Sequence, residues 1–229
     1  MALDADTFRQ ITETIDRFVR DRLIPAEAQV DEDNAIPTDI ISEMRDLGLF
    51  GLSIPEEYGG LGLTMSEEVE LTFRLGRASP AFRSLIGTNN GIGSQGILLD
   101  GTDQQKQKWL PRLASGEIIG SFALTEPDSG SDAASISLSA QPDGPDFILN
   151  GTKRYITNAP IAGLFTVMAR SDSTLQGAKG ITAFLVEADT PGLSVGPPDR
   201  KMGQRGAKTA DVIFQDCRVP ASAIIGGIA

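Results

Sequence analysis

Residues 91–96 read GIGSQG, and the fold turns on how that string is read. It matches G-x-G-x-x-G, the turn of a dinucleotide-binding βαβ unit. That reading needs a strand leading in, a helix leading out and an acidic residue about 20 positions on. With 25 glycines in 229 residues, such spacings also arise by chance. Upstream lies SPAFRSLIGTNN (79–90), and Phe82, Leu85, Ile86, Asn89, Gly93, Gly96 and Ile97 fall at threes and fours. That is the period of a helix running through the glycines, and Ser79 before Pro80 suits its start. One helix from Pro80 to Leu99 is predicted. The acidic residue at the right distance, Glu117, sits in the turn SGE rather than at a strand end. The doubly wound reading therefore fails, and Gly93 and Gly96 are expected to let a neighbouring helix or a ligand come close.

The rest of the first half is also helical. Phe8, Ile11, Ile15, Phe18 and Val19 share a face, with Pro25 limiting that helix. Thr38 can cap a helix carrying Ile40, Ile41, Met44 and Leu47, and Gly48 lies just past its end. LSIPEEYGGLGL (52–63) is loop chemistry. Thr64 with Glu67, and Thr102 with Gln105, each form a capping-box pattern before an apolar run.

The pattern changes near Glu117. Ile136, Leu138 and Ala140 alternate with Ser137, Ser139 and Gln141, as in a half-buried strand. PDGPD (142–146) is a turn, and FILNGTKRYIT (147–157) reads as returning strands around an Asn-Gly turn at Asn150 and Gly151. FTVMARSD (165–172), GITAFLVEAD (180–189) and TADVIFQDCRVP (209–220) are further strands. No helix-length periodic segment separates them. The expected fold is α+β: a helical bundle over 1–117, then an antiparallel β-barrel or sandwich over 118–229.

Composition removes several function classes. Net charge is −11, which argues against a general nucleic-acid or anionic-membrane surface. One cysteine, Cys217, permits neither an intramolecular disulfide nor a Cys-x-x-Cys pair, and a small buried role is expected for it. The start MALDADTFRQ lacks the pattern of a signal peptide, and no apolar run approaches the roughly 18 residues of a membrane span. A soluble, cytoplasmic protein is expected. There is no histidine, so Ser-His-Asp and Cys-His catalysis and histidine-ligated metals are excluded within this chain. Any chemistry must come from carboxylates, lysine, tyrosine, a bound cofactor or a second chain.

The densest polar signal is SFALTEPDSGSDAAS (121–135), directly after an apolar strand. Its hydroxyls and backbone N–H groups suit phosphate oxygens, as they would suit an ordinary polar loop. The stretch also fits the pattern small–apolar–Ser/Thr–Glu–x–x–small–Gly–Ser/Thr–Asp–x–x–small through Ala123, Leu124, Thr125, Glu126, Ser129, Gly130, Ser131, Asp132 and Ser135. LGLFGLSIPEEYGGLGL (47–63), QKQKWLPRLASGE (105–117), LNGTKRYITNA (149–159), AFLVEADTPGLSVG (183–196) and KMGQRGAKTADVIFQDCRVP (201–220) follow the same family in order. On these motifs, which span essentially the whole chain, the sequence resembles the acyl-CoA dehydrogenase family.

The resemblance implies an N-terminal helical domain, a middle β domain and a C-terminal four-helix domain, with FAD between the last two and the acyl-CoA thioester against its ring. It implies removal of an α proton and a β hydride, giving the 2-enoyl thioester, with an electron-transfer flavoprotein or similar acceptor as partner and a homo-oligomeric assembly. Thr125 would bond the pyrimidine edge of the flavin, Thr157 would donate toward N5, and Ser131 would meet the pyrophosphate. Phe122, Ala123 and Leu124 would line the flavin and thioester side, so Leu124 and Ser131 also stand as substrate contacts. Tyr155, at a position often tryptophan in the family, would pack on the flavin face beside Ile156.

Other residues take plainer expectations. Glu126 is read as a structural member of its loop, Lys153 and Arg154 as solvated strand residues, and Arg200, Lys201, Arg205 and Lys208 as a solvated face or domain contact. The chain ends at VPASAIIGGIA, where the family continues into the domain that carries the glutamate base. No base is named among these residues, and the 229 residues alone are expected to be inactive. A non-catalytic form or partner subunit that binds acyl-CoA or another chain, and an oxidase or flavin monooxygenase of the same fold, stand as alternatives.

Overall fold

The computed structural model describes residues 3–227. Among the described residues, seven α-helices come first: α1 (Ala5–Phe18), α2 (Ile24–Asp33), α3 (Thr38–Asp46), α4 (Met65–Leu75), α5 (Pro80–Thr88), α6 (Gln95–Asp100) and α7 (Asp103–Ala114). Seven strands follow: β1 (Gly120–Ala123), β2 (Ser139–Asp143), β3 (Asp146–Thr157), β4 (Leu164–Arg170), β5 (Ile181–Glu187), β6 (Leu193–Val195) and β7 (Thr209–Pro220). The expected α+β class stands.

Pro25 does not end the first helix. A π-turn over Val19–Leu23, closed by Ile24 N–H donating to Val19 O, joins α1 to α2, and Pro25 falls in the first turn of α2. Proline has no N–H for the helical ladder, and the wider turn before it absorbs that missing bond. Ile15, Phe18, Val19 and Leu23 pack with Met44, Leu71, Leu75, Phe82 and Leu85 in the helical core. Both predicted capping boxes form, at Thr64/Glu67 and Thr102/Gln105.

The helix through GIGSQG breaks. α5 ends at Thr88, a π-turn spans Asn89–Gly93, and Gly91 adopts φ −86°, ψ −111°, outside the helical region. The cause is tertiary. Asn90 is buried and donates to the carbonyls of Leu49 and Ile86, while Leu52 N–H donates to its Oδ1. These bonds hold the chain to the 49–52 loop just where the helix would continue. A Cβ built on Gly93 would lie 2.8 Å from Thr88 O and 3.3 Å from the carbonyl carbon of Gly120. The tightest neighbour is thus the carbonyl at the end of α5, with the start of β1 next. Gly93→Ala is expected to destabilise by about 1–3 kcal/mol, as overpacking does. Gly96→Ala, facing only Ile225 Cδ1 at 3.6 Å, should change little. Urea denaturation of the two variants checks this.

The sheet runs β1-β4-β2-β3-β7-β6, with β5 also on β4. It is mixed rather than purely antiparallel, because β1 pairs parallel with β4 from Gly120/Leu164 to Ala123/Val167. The chain between them crosses over through the 124–138 loop and the β2–β3 hairpin, and a crossover returns a strand in the same direction. That hairpin turns at Gly144–Pro145, between the paired Asp143 and Asp146, within the predicted PDGPD turn. The Asn150–Gly151 hairpin does not form. β3 is one strand that pairs with β7 on both sides of a bulge there, and Asn150 exchanges bonds with Asp216 instead.

Leu149, Ile156, Phe165, Val167, Phe184, Val212, Phe214 and Cys217 fill the β core. Burial pushes the Cys217 thiol up to about 11, so it is inert at neutral pH. Trp109, Leu110 and Leu113 of α7 pack against Leu164 and Leu185, joining helices to sheet. The basic stretch near 200–208 gives one clear contact between the two halves of the chain. Arg205 donates to the carbonyls of Asp31 and Glu32, the latter at 3.0 Å, at the end of α2.

Candidate functional site

The expected site residues converge along one edge of the sheet. Ser121 Oγ donates to Thr157 O at 2.7 Å, and Arg154 N–H donates to Thr125 O at 2.7 Å. Segment 121–125 therefore runs antiparallel beside 154–157. Phe122, Leu124, Thr125 and Thr157 are half-buried there, and Tyr155 is 60% exposed. The side chains of Ala123 and Ile156 turn into the β core. Ser131 stands on an exposed bend of the loop beyond Thr125.

That loop is fastened by Glu126. Its carboxylate accepts from Ser137 N–H at 2.6 Å, Leu138 N–H at 2.9 Å and Lys153 Nζ at 2.8 Å. Lys153 Nζ also donates to Leu124 O at 2.9 Å. Lys153 is fully buried, which corrects the expectation of a solvated residue. Lys153 lies four residues after the buried Leu149, on the same face of β3, so regular alternation turns it inward. Burial raises the Glu126 carboxyl. The Lys153 hydrogen bond, the two amides and the lysine charge outweigh it and hold the group below its ordinary value. Burial depresses the Lys153 ammonium, with Glu126 opposing. Glu126 is thus an ionised structural anchor, as the loop reading expects.

Tyr155 has a left-handed φ of +58° and Asn158 one of +65°. For tyrosine this conformation costs about 1–3 kcal/mol and persists only where the surroundings impose it. Here the register of β3 on β7 shifts between Lys153 and Ile156, so Arg154 and Tyr155 oppose the single residue Asp211. Asn158, buried, donates from Nδ2 to Leu85 O at 3.0 Å and fixes the far end of the segment against α5. Sequence reasoning missed Lys153, Arg154, Asn158 and Asp211 as parts of this edge. A glutamate next to a buried strand, needing a cation, was the one available signal.

The donor set fits a planar ring with polar edges. The carbonyls of Leu124, Thr125 and Thr157 are engaged within the protein, whereas neither threonine hydroxyl is used in a hydrogen bond among the described residues. Two free hydroxyls flank an aromatic ring on an ordered edge, with the Gly130–Ser131 bend beyond. Among the described residues nothing lies within 4 Å of a Cβ built on Gly130, so a bulky anion has room there.

Comparison with known proteins gives a consistent picture. The model of the acyl-CoA dehydrogenase N-terminal domain matches residues 5–117, and that of the middle domain matches 121–217. The human mitochondrial short-chain specific acyl-CoA dehydrogenase is 40% identical over 221 residues, covering 96% of this chain and 53% of the relative. A glutaryl-CoA dehydrogenase from Mycobacterium smegmatis, solved in complex with FADH2, superposes with TM-score 0.88 at 37% identity, covering 97% of this chain and 55% of that one. A chain from a structure of the electron transferring flavoprotein of Acidaminococcus fermentans superposes with TM-score 0.92 at 34% identity, covering 99% and 59%. The chain spans about half the length of the curated relatives it matches. No helix among the described residues is long and apolar enough to cross a membrane.

Proposed function

This chain belongs to the acyl-CoA dehydrogenase family, and from that premise we propose that it forms the helical and middle parts of an enzyme that oxidises an acyl-CoA thioester to the 2-enoyl-CoA with FAD. The observation that carries the reading is the edge just described: Thr125 and Thr157, hydroxyls free, flanking Tyr155. When bound, FAD supplies the acceptor for the substrate's β hydride. The protein's part is to hold and polarise. Thr157 would donate toward N5 and Thr125 toward the pyrimidine edge, and such fixed donors would stabilise charge on the reduced ring without reorganising. Tyr155 would cover part of the ring. Ser131 and the open bend at Gly130 would meet the pyrophosphate, and the backbone of Phe122 to Leu124 would face the thioester side. Glu126 does not act as the base, because Lys153 and two amides occupy its carboxylate in a buried position. The base that takes the α proton is proposed to lie outside these 229 residues.

Likeness to the chain from the electron transferring flavoprotein structure supports an acceptor of that chemistry. A reducing compartment, taken as the cytoplasm, is proposed from the single buried Cys217. The test is anaerobic mixing of the FAD-loaded full-length protein with acyl-CoA thioesters, following the flavin absorbance. Bleaching with formation of enoyl-CoA supports dehydrogenation, and no spectral change with any acyl-CoA overturns it. Oxygen consumption coupled to substrate would favour the oxidase alternative. Thr157→Val is expected to slow the reductive step by about 10²-fold, the usual cost of losing one aligned donor. Stopped-flow absorbance measures it.

A further inference from the structure

Tyr155 carries a cation on one face. The Arg154 guanidinium lies 4.7 Å from the ring centroid, and its NH1 is held 2.9 Å from Asp211 Oδ2. Neighbouring residues of a regular strand point to opposite faces of the sheet. Arg154 and Tyr155 can stack only because the bulge opposite Asp211 turns Tyr155 into its left-handed conformation. The bulge, the backbone strain and the ion pair thus produce one object: a tyrosine ring covered on one side by a fixed guanidinium, with much of the rest exposed. Asp211 Oδ1 is buried with no hydrogen-bond partner among the described residues, so the aspartate depends on Arg154 for its neutralisation.

We infer that Arg154 is a positioning residue for the flavin: anchored by Asp211, it fixes the Tyr155 ring so that its uncovered face meets the isoalloxazine, and it masks the aspartate charge beside that ring. This rests on the flavin reading above. Two consequences follow. Without Arg154 the tyrosine is free to rotate, and stacking loses its pre-organisation. Without Arg154 the Asp211 charge also stands unmasked near a ring that gains negative charge on reduction, so reduction becomes harder.

The test measures FAD dissociation constants, the potential of the bound flavin by dye equilibration, and the melting temperature of the apoprotein. Wild type is compared with Arg154→Met, Arg154→Lys, Asp211→Asn and the double variant Arg154→Met/Asp211→Asn. Arg154→Met is expected to bind FAD about tenfold more weakly and to show a more negative potential. Arg154→Lys should restore the potential but only part of the affinity, since an ammonium cannot stack as a plane. The double variant should restore the potential and not the affinity. A purely structural role would lower the melting temperature and leave the potential in place. Arg154→Met with wild-type affinity and potential overturns the inference. Should that variant not fold, wild-type affinity in Asp211→Asn, which frees the arginine, overturns it equally. No saturable FAD binding by wild type would instead refute the flavin reading itself, and the inference with it.

Discussion

Lys153→Met is expected to destabilise the protein by about 3–5 kcal/mol, the cost of stranding one partner of a buried ion pair. The pair is out of solvent, with side-chain exposure of 0% for Lys153 and 4% for Glu126. Removing the ammonium leaves the carboxylate with only the Ser137 and Leu138 amides and the Ser137 hydroxyl, and leaves Leu124 O without its donor. Because Glu126 ties the 127–136 loop to the sheet, the same change should loosen the bend that carries Ser131. Hydrogen exchange would show that loss beside the stability loss in urea. The double variant Glu126→Gln/Lys153→Met should recover part of the stability, since both charges are then gone. The pair also predicts a pH dependence. The folded carboxyl of Glu126 titrates below its ordinary value of 4.5. Its contribution is therefore complete above that value and is lost as pH falls through the folded value. Acid titrations of wild type and the double variant should diverge below about pH 4.5, with the flatter curve in the variant.

Asn89→Ala carries the second large effect, about 3–5 kcal/mol. Asn89 is fully buried, donates from Nδ2 to Phe50 O at 2.8 Å and to Leu113 O at 3.0 Å, and accepts from Gly120 N–H at 2.8 Å. One side chain thus ties the 49–51 turn, the end of α7 and the first residue of β1. Alanine would leave Phe50 O and Gly120 N–H without this partner, each worth about 1–3 kcal/mol with incomplete additivity, while Leu113 O keeps the Gly116 N–H at 3.1 Å. It would also release β1, whose next residue, Ser121, positions Thr157. Asn89→Ala should therefore lower stability in urea and weaken FAD binding together, although Asn89 lies outside the proposed flavin contacts.

The legible parts of the fold were the local ones. Both capping boxes need only residues three apart, and the strand at 209–220 shows its alternation without reference to a partner. What escaped depended on distant residues. The break at Gly91 is imposed by Asn90 bonding to residues 49 and 52, some 40 positions away. The direction of β1 depends on its pairing with β4. Lys153 shares the inward face of β3 with Leu149, and what makes a lysine tolerable there is Glu126, 27 positions away. At the site, composition gave a polar loop, and the family resemblance gave Thr125, Thr157 and Tyr155. Neither could reveal that Arg154 lies against Tyr155, because that contact exists only in the bulge.

The central claim is that the edge formed by segments 121–125 and 154–157 is a wall of a flavin site. Equilibrium titration with FAD tests it most directly, comparing the purified wild-type protein with Thr125→Val/Thr157→Val and reading quenching of flavin fluorescence. Saturable binding by the wild type, weakened about tenfold or more in the double variant, is the predicted result: two hydrogen bonds of about 1 kcal/mol each exceed the roughly 1.4 kcal/mol that a tenfold change requires. Saturable binding with the same affinity in both proteins, or no binding by the wild type, would contradict the account.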